Sequence, residues 1–176
     1  MKKFELTGNF KMCFGRKLFQ IRALINIKDV VEAGETGGYI EKEENLDQTG
    51  DAWVYGDAQV SGDARVYGDA WVSGNAQVYG NAWVYGNARV SGDAWVSGNA
   101  DILQVTGLGT VHRTTTAYKT KDGIEIVCGC FRGGIEAFKE QVVNTRDGKV
   151  RDEYLKFAEL IEIYFGIKKK EERANE

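Results

Sequence analysis

Between Gly50 and Leu103 the chain repeats one six-residue pattern nine times without an insertion. Each unit places alanine two positions after a glycine and a β-branched aliphatic residue two positions later, with aspartate, asparagine, tyrosine, serine and other variable residues between them. The glycines are Gly50, Gly56, Gly62, Gly68, Gly74, Gly80, Gly86, Gly92 and Gly98. A strict internal period indicates stacked units rather than an ordinary globular core.

Each unit predicts one short strand and one bend. The aliphatic residue has polar or aromatic neighbours, so it predicts a strand whose central side chain points inward. The Gly-Asp or Gly-Asn pair predicts the bend, because these residues accept positive φ at low cost. The alanine is small enough for the inside of a corner. Together these features predict a flat-sided coil.

This block resembles the hexapeptide-repeat proteins, whose aliphatic-x-x-x-small-x pattern forms a left-handed parallel β-helix. The resemblance implies three units per turn, and therefore about three regular coils. It also implies a homotrimer. In the acyltransferases of that family, acyl-CoA lies between neighbouring prisms and a histidine is the general base, a role for which His112 is the only candidate.

A turn of three units predicts which residues stack. The interior columns are Val54, Val72 and Val90; Val60, Val78 and Val96; and Val66, Val84 and Ile102. The outward columns are Trp53, Trp71 and Arg89; Arg65, Trp83 and Asp101; Gln59, Gln77 and Trp95; and Tyr67, Tyr85 and Leu103. Exposed aromatic side chains usually belong to an interface. They either pack against the chain's own ends or sister subunits, or form a platform for a planar ligand, with Trp71, Trp83, Tyr67 and Tyr85 as candidates.

The segment before the repeat predicts a β cap over residues 1–39. Phe4 to Leu24 alternates like a hairpin that turns at Phe14-Gly15-Arg16, and Gly34 to Gly38 predicts a second bend. Tyr39-Ile40 and Leu46 predict an irregular first rung of a β-helix over residues 40–105. The segments Ile21-Arg22-Ala23-Leu24 and Gly37-Gly38-Tyr39-Ile40-Glu41 resemble the N-terminal part of bacterial and prophage hexapeptide-repeat proteins.

The segment after the repeat predicts a small α+β module over residues 106–167. Thr114 to Thr120 and Ile124 to Cys130 predict two strands joined by Lys121-Asp122-Gly123. Helical patterns follow Gly133-Gly134 and Arg151. Residues 168–176 are charged and predict a flexible tail. The fold class predicted is therefore mainly β, with a β cap and an α+β extension.

Charge and composition limit the kinds of binding partner and the cellular location that the sequence predicts. The net charge of −3 is too small for a DNA mimic, and the absence of a basic stripe argues against direct nucleic-acid binding. No apolar stretch approaches membrane-spanning length, and no signal peptide opens the chain. The odd number of three cysteines favours a reducing cytoplasm, which would be the host cytoplasm if a phage encodes the protein.

One stretch has the composition of a phosphate site. Between Gly107 and Thr116 stand two glycines, His112, Arg113 and the hydroxyls of Thr114, Thr115 and Thr116. Arg132 precedes a predicted helix start and is expected to converge on them, where guanidinium groups would hold phosphate by charged hydrogen bonds. The alternative is that the threonines are simply good strand formers and the arginines are solvated.

Cys128-Gly129-Cys130 is the only sequence pattern suggestive of a metal pair. Strand alternation places both sulfurs on one side, and two buried small apolar residues explain them more simply than zinc does, because a closed zinc site needs four ligands. Neither a metal nor a cofactor is expected.

Three functions fit the sequence. The first is a non-catalytic, oligomeric binding protein of phage or prophage origin that sequesters a phosphorylated small molecule, such as a nucleotide signal of host defence. The second is an acyltransferase that uses acyl-CoA, and the third is a structural β-helix that binds protein partners.

Overall fold

The computed structural model describes residues 1–28 and 31–167; the predicted flexible tail, residues 168–176, lies outside them. The protein is a mainly β structure built around a β-solenoid of about three turns. An N-terminal hairpin lies at one end of the solenoid, and an antiparallel sheet with two helices lies at the other. This architecture confirms the predicted fold class.

Eight two-residue strands form the regular solenoid. They are β4 (Trp53–Val54), β5 (Gln59–Val60), β6 (Arg65–Val66), β7 (Trp71–Val72), β8 (Gln77–Val78), β9 (Trp83–Val84), β10 (Arg89–Val90) and β11 (Trp95–Val96), after β1 (Phe4–Cys13), β2 (Arg16–Ala23) and β3 (Thr36–Ile40). Parallel pairing joins each strand to the one three units later, as Val54 to Val72 and Val60 to Val78. The strands therefore build three walls.

The interior of the solenoid is filled as the sequence predicts. The eight regular valines and the eight corner alanines from Ala52 to Ala94 are at most 2% exposed, whereas Ala100 of the last unit is exposed. Burying a valine side chain contributes about 1.5–3 kcal/mol, so these columns supply much of the free energy that holds the thin prism together.

Polar side chains close the first turn, where no earlier strand exists to pair with. The amide of buried Asn45 donates to the carbonyl oxygens of Gly62 and Ala64, at 3.0 and 2.8 Å. The ammonium of Lys3, which is 1% exposed, donates to the carbonyl oxygens of residues 49, 50 and 52 at 2.9–3.3 Å. The backbone groups left over at this end are thus satisfied.

The N-terminal hairpin, β1 and β2, continues one wall of the solenoid. β2 pairs with β3, which itself pairs with β5 and supplies the predicted first rung through Ile40 and Val60. The hairpin turns at Phe14 and Gly15, with φ of 47° and 75°. Its outer half runs along the wall: the ammonium of Lys11 lies 3.7 Å from the ring centroid of Tyr39.

The predicted second bend is wrong in one respect, because Gly37 and Gly38 belong to strand β3. A Cβ at Gly37 would lie 2.5 Å from the carbonyl oxygen of Val54, and one at Gly38 would lie 2.6 Å from that of Ala58. These glycines serve a close approach between backbones rather than a turn.

The C-terminal module is a four-stranded antiparallel sheet with two helices. Its strands are β12 (Ile102–Leu108), β13 (Arg113–Thr120), β14 (Gly123–Cys128) and β15 (Phe131–Gly133), and its helices are α1 (Ile135–Thr145) and α2 (Gly148–Tyr164). The sequence prediction missed β12 and β15, extended β14 to Cys130, and began the second helix after Arg151 rather than at Gly148.

The sheet is sandwiched between the last turn and the helices. Tyr118 and Val127 belong to the solenoid core, whereas Ala117 and Ile126 pack with the helices in a second core. The hydroxyl of Tyr118 donates to Glu125 at 2.6 Å and accepts the backbone N–H of Ser91 at 3.2 Å. This buried contact docks the module on the solenoid.

Candidate functional site

An open cleft of about 340 Å³ lies where the last turn of the solenoid meets strand β13. We call it the basic cleft. Its lining residues come from the solenoid, from the turn between β12 and β13, and from the sheet: Asn87, Arg89, Val111, His112, Arg113, Thr114, Thr116, Val127 and Gly129. Among the described residues, its lining includes two arginines, one histidine and no acidic residue.

Each arginine of the basic cleft is positioned by a neighbour. The guanidinium carbon of Arg89 lies 4.7 Å from the ring centroid of Trp71, on the preceding turn of the same wall. The guanidinium of Arg113 lies against Gly129, in the space that a Cβ at this glycine would enter. Stacking thus positions Arg89, the lack of a side chain at Gly129 leaves room for Arg113, and neither arginine forms an ion pair among the described residues.

Thr116 supplies an unusual polar group to the cleft. The residue is 1% exposed, yet it lines the cleft, and its hydroxyl makes no hydrogen bond to any described residue. A threonine hydroxyl that lines the cleft is able to donate a hydrogen bond to a ligand oxygen there.

His112 stands at the rim of the basic cleft, in an exposed turn. Its backbone has φ of 49°, and its Nδ1 lies 3.4 Å from the carbonyl oxygen of Gly107. Within residues 1–28 and 31–167, no carboxylate hydrogen-bonds to this ring to orient it.

The structure therefore brings together four of the six residues predicted to hold phosphate: His112, Arg113, Thr114 and Thr116. Thr115 is separated from Thr114 and Thr116 because neighbouring residues of a strand point to opposite faces. Arg113 begins the same strand on the face of Thr115, and it lines both the basic cleft and a smaller cleft beside Cys128 and Tyr154. Its hydroxyl lies against the second core and donates to the sulfur of Cys128 at 3.2 Å.

Arg132 does not line the basic cleft, and the expected convergence with the threonines is wrong. Its Nε lies 2.7 Å from the Glu125 carboxylate, and this hydrogen bond raises the pKa of Arg132 above its ordinary value. Arg132 lines a neighbouring cleft together with the carboxylates of Asp93 and Asp122. Its charge is therefore already matched.

The four predicted aromatic residues are also divided between two places. Trp71 lies beside the basic cleft through its contact with Arg89. Tyr67 and Trp83 line a separate cleft of about 580 Å³ on the wall of β6 and β9, and Tyr85 stacks on Tyr67 with ring centroids 5.5 Å apart. The aromatic platform and the phosphate site predicted from the sequence are thus distinct surfaces. Leu103, predicted to extend the Tyr67–Tyr85 column, packs in the second core instead.

Sequence reasoning missed Arg89 and Asn87 as site residues. The signal was available, since Arg89 replaces tryptophan in the column of Trp53 and Trp71. Arg89 lines the cleft only because the C-terminal sheet packs beside that column, and no local sequence pattern predicts this packing.

The two cysteines also differ from the prediction. Strand β14 ends at Cys128, and Gly129 turns the chain with φ of 60°, so Cys130 is exposed while Cys128 packs against the second core. In the described part of the chain, no group of three histidine, cysteine or acidic side chains is arranged to hold a metal ion.

Comparison with known proteins supports the fold and leaves the function open. A family described as YdcK Beta solenoid repeat matches residues 58–74 and 82–98, two segments within the solenoid. The match supports a β-solenoid repeat protein. No curated protein matches the chain. Neither α1 nor α2, the helices of the described residues, is long and apolar enough to cross a membrane.

Proposed function

We propose that this protein is a non-catalytic binding protein that holds a small phosphorylated molecule in the basic cleft. The observation that carries the proposal is the unbalanced charge of the cleft: Arg89 and Arg113 both line it, and no carboxylate of residues 1–28 or 31–167 does. Guanidinium groups form forked, charge-assisted hydrogen bonds that match the oxygens of a phosphate.

The hydroxyls and the volume of the cleft refine the ligand class. Thr114 and Thr116 add hydrogen-bond donors of the kind that complete a phosphate shell, and Asn87 adds an amide. A volume of about 340 Å³ is at the small end of the usual range for ligand pockets. A mononucleotide or a sugar phosphate is therefore a better match than acyl-CoA.

A binding role is also more consistent with His112 than acyl transfer. The described partner of the His112 ring is a backbone carbonyl at 3.4 Å, which is a long and weak contact for orienting a general base. Sequestration needs affinity alone. In a phage or prophage, such a protein would remove a nucleotide signal of host defence, and the assembly we expect is a homotrimer.

The test combines native mass spectrometry with calorimetry. The protein is incubated with a nucleotide extract, and any retained small molecule is identified by its mass. AMP and inorganic phosphate are then titrated into the wild type and into Arg89→Gln and Arg113→Gln. Loss of a charged hydrogen bond should weaken binding of AMP by about 10- to 100-fold in each variant.

Arg65→Gln is the matched control, because Arg65 is an exposed arginine of the same solenoid that lines the other cleft. Its affinity for AMP should equal that of the wild type. Unchanged binding in Arg89→Gln and Arg113→Gln, or no retained mass and no heat with either probe, would exclude the basic cleft as a phosphate site.

A further inference from the structure

We propose that the second large cleft, on the wall of β6 and β9, binds an arginine side chain of a basic peptide segment in a partner protein. We call it the aromatic–acidic groove. Its volume is about 580 Å³, and its lining residues are Glu43, Glu44, Leu46, Asp47, Gln48, Arg65, Val66, Tyr67 and Trp83. The proposal is independent of the phosphate-binding function.

Trp83 differs from the other tryptophans in how its indole is covered. Trp53 is buried against Phe4, Trp71 is covered by Arg89, and Trp95 lies between Phe14 and Tyr79. Trp83 is 48% exposed, and its described ring contact is an edge contact with Tyr67 at 6.1 Å. A large indole surface is therefore left for a molecule from outside.

The solenoid itself shows which chemistry suits such an indole. On the neighbouring wall, the residue one turn below Trp71 is Arg89, whose guanidinium lies over the ring at 4.7 Å. In the column of Trp83, Arg65 stands one turn above, and no strand pairs with Trp83 on the other side among the described residues. Asp101, which follows eighteen residues later in the sequence, pairs with Lys119 at 2.6 Å. Among the described residues, a guanidinium thus lies over the ring of Trp71, and no cation lies over the ring of Trp83. A cation from a partner would restore the same stacking.

The charge around the groove selects a cation. Glu43, Glu44 and Asp47 contribute three carboxylates, against the single guanidinium of Arg65. Lys2 pairs with Glu43 at 2.8 Å, while no described cation lies within ion-pairing distance of Glu44 or Asp47. The remaining negative charge would repel a phosphorylated ligand and attract an arginine, whose planar group stacks on an aromatic ring while it donates to carboxylates.

The backbone beneath the groove is held rigidly, which favours a preformed site. The side-chain amide of Gln104 donates to the carbonyl oxygen of Trp83 at 3.2 Å, and Asn99 accepts the N–H of Trp83 at 2.9 Å. These bonds take the place of a further strand below β9. The backbone that carries the indole is thus held at the edge of the solenoid before any partner arrives.

The test uses a short peptide with two arginines separated by glycines and a matched peptide in which citrulline replaces arginine. The indole N–H signals of the four tryptophans are assigned in a nitrogen-15 NMR spectrum and followed during titration. The arginine peptide should shift the Trp83 signal in a saturable manner, and the citrulline peptide should not, since it keeps the shape and loses the charge.

Two sets of variants test the roles of the indole and of the carboxylates separately. Trp83→Leu should weaken binding of the arginine peptide about fivefold or more. Glu44→Gln with Asp47→Asn should weaken it and flatten its salt dependence. Trp95→Leu is the control, because Trp95 is similarly exposed but lies on another wall, and its affinity should match that of the wild type.

Three outcomes would overturn the proposal. An unmoved Trp83 signal at millimolar peptide would show that the groove does not bind arginine. Equal shifts with the citrulline peptide would show that charge is not recognised. A Trp83 signal that instead changes with protein concentration, together with a smaller sedimenting mass for Trp83→Leu, would identify the groove as a contact between copies of this chain.

Discussion

Gly80 and Gly86 form a matched pair that tests the stacking of the solenoid. Each stands in the local sequence Val-Tyr-Gly-Asn-Ala, and their φ angles are 63° and 60°. The surroundings differ. A Cβ at Gly80 would overlap the carbonyl oxygen of Ser97 on the next turn, whereas a Cβ at Gly86 would meet nothing within 4 Å. Local sequence therefore predicts equal costs for an alanine at either site, and the structure predicts unequal costs.

The magnitudes follow from two separate effects. The left-handed conformation costs alanine about 1–2 kcal/mol at either position, partly offset by about 0.4–1 kcal/mol from the less flexible unfolded chain. Gly86→Ala should therefore destabilise the protein by about 1 kcal/mol. Gly80→Ala must also displace the backbone of the next turn, and overpacking of this kind adds about 1–3 kcal/mol. We expect a total loss of about 3 kcal/mol.

Urea unfolding followed by far-ultraviolet circular dichroism measures both losses. Gly86→Asn is a useful third variant, because asparagine adopts left-handed φ more readily than alanine and should lose less stability. If the two alanine variants lose the same free energy of unfolding, or if Gly86→Ala loses more, then contact with the next turn does not determine the requirement for glycine and the reasoning is wrong.

Three further predictions concern titrating groups. Burial lowers the pKa of Lys3 to about 8, below its value in the unfolded chain, so protonation of Lys3 opposes folding. The free energy of unfolding of the wild type, relative to that of Lys3→Met, should therefore rise by at most about 3 kcal/mol between pH 8 and about pH 10.4. Thermal unfolding measures this difference, and a difference that does not change with pH would contradict the prediction. Burial and the hydrogen bond to Glu125 raise the pKa of Tyr118 to about 12. The tyrosinate absorbance of Tyr118→Phe should therefore fall below that of the wild type only above about pH 11. A difference that begins near the ordinary pKa of about 10 would show that the hydroxyl is accessible to solvent. Burial opposes ionisation of Asp101, but hydrogen bonds from Lys119 and Ser97 outweigh it and lower the pKa of this carboxyl. Its stabilising effect is therefore complete above the unfolded pKa of about 3.9 and is lost as pH falls through the folded pKa. Asp101→Asn should destabilise the protein near neutral pH, and denaturant titration should show a loss that shrinks as the pH falls below about 3.9; a loss that does not change with pH would contradict this.

The repeat could be predicted from sequence in detail because its information is local and periodic. The column of Val54, Val72 and Val90 follows from counting residues, and Ile40 was recognised as part of the first rung from the same spacing. The segments that cap the two ends of the solenoid were harder to predict. Lys3 reads as an ordinary surface lysine, and only the fold shows that it replaces a missing strand.

The candidate site was predicted in part for the same reason. His112, Arg113 and Thr116 are close in sequence, so one strand and one turn bring them together. Arg89 comes from another element, and its contribution depends on how the C-terminal sheet docks. Arg132 was assigned to the site because its charge was considered without its partner, and Glu125, seven residues earlier, determines where the guanidinium points.

The length of the N-terminal hairpin is matched to the number of turns. Phe14 at its tip contacts Tyr79 and Trp95, with ring centroids 6.5 and 6.3 Å apart, while its base pairs with the first rung. The hairpin therefore spans a set number of solenoid turns along one wall. Inserting one more turn of repeats upstream of Tyr79 would move both aromatic partners away by about 4.8 Å, the spacing of stacked strands. The hairpin therefore limits the number of repeats, because a longer solenoid would lose the contact of Phe14 with Tyr79 and Trp95.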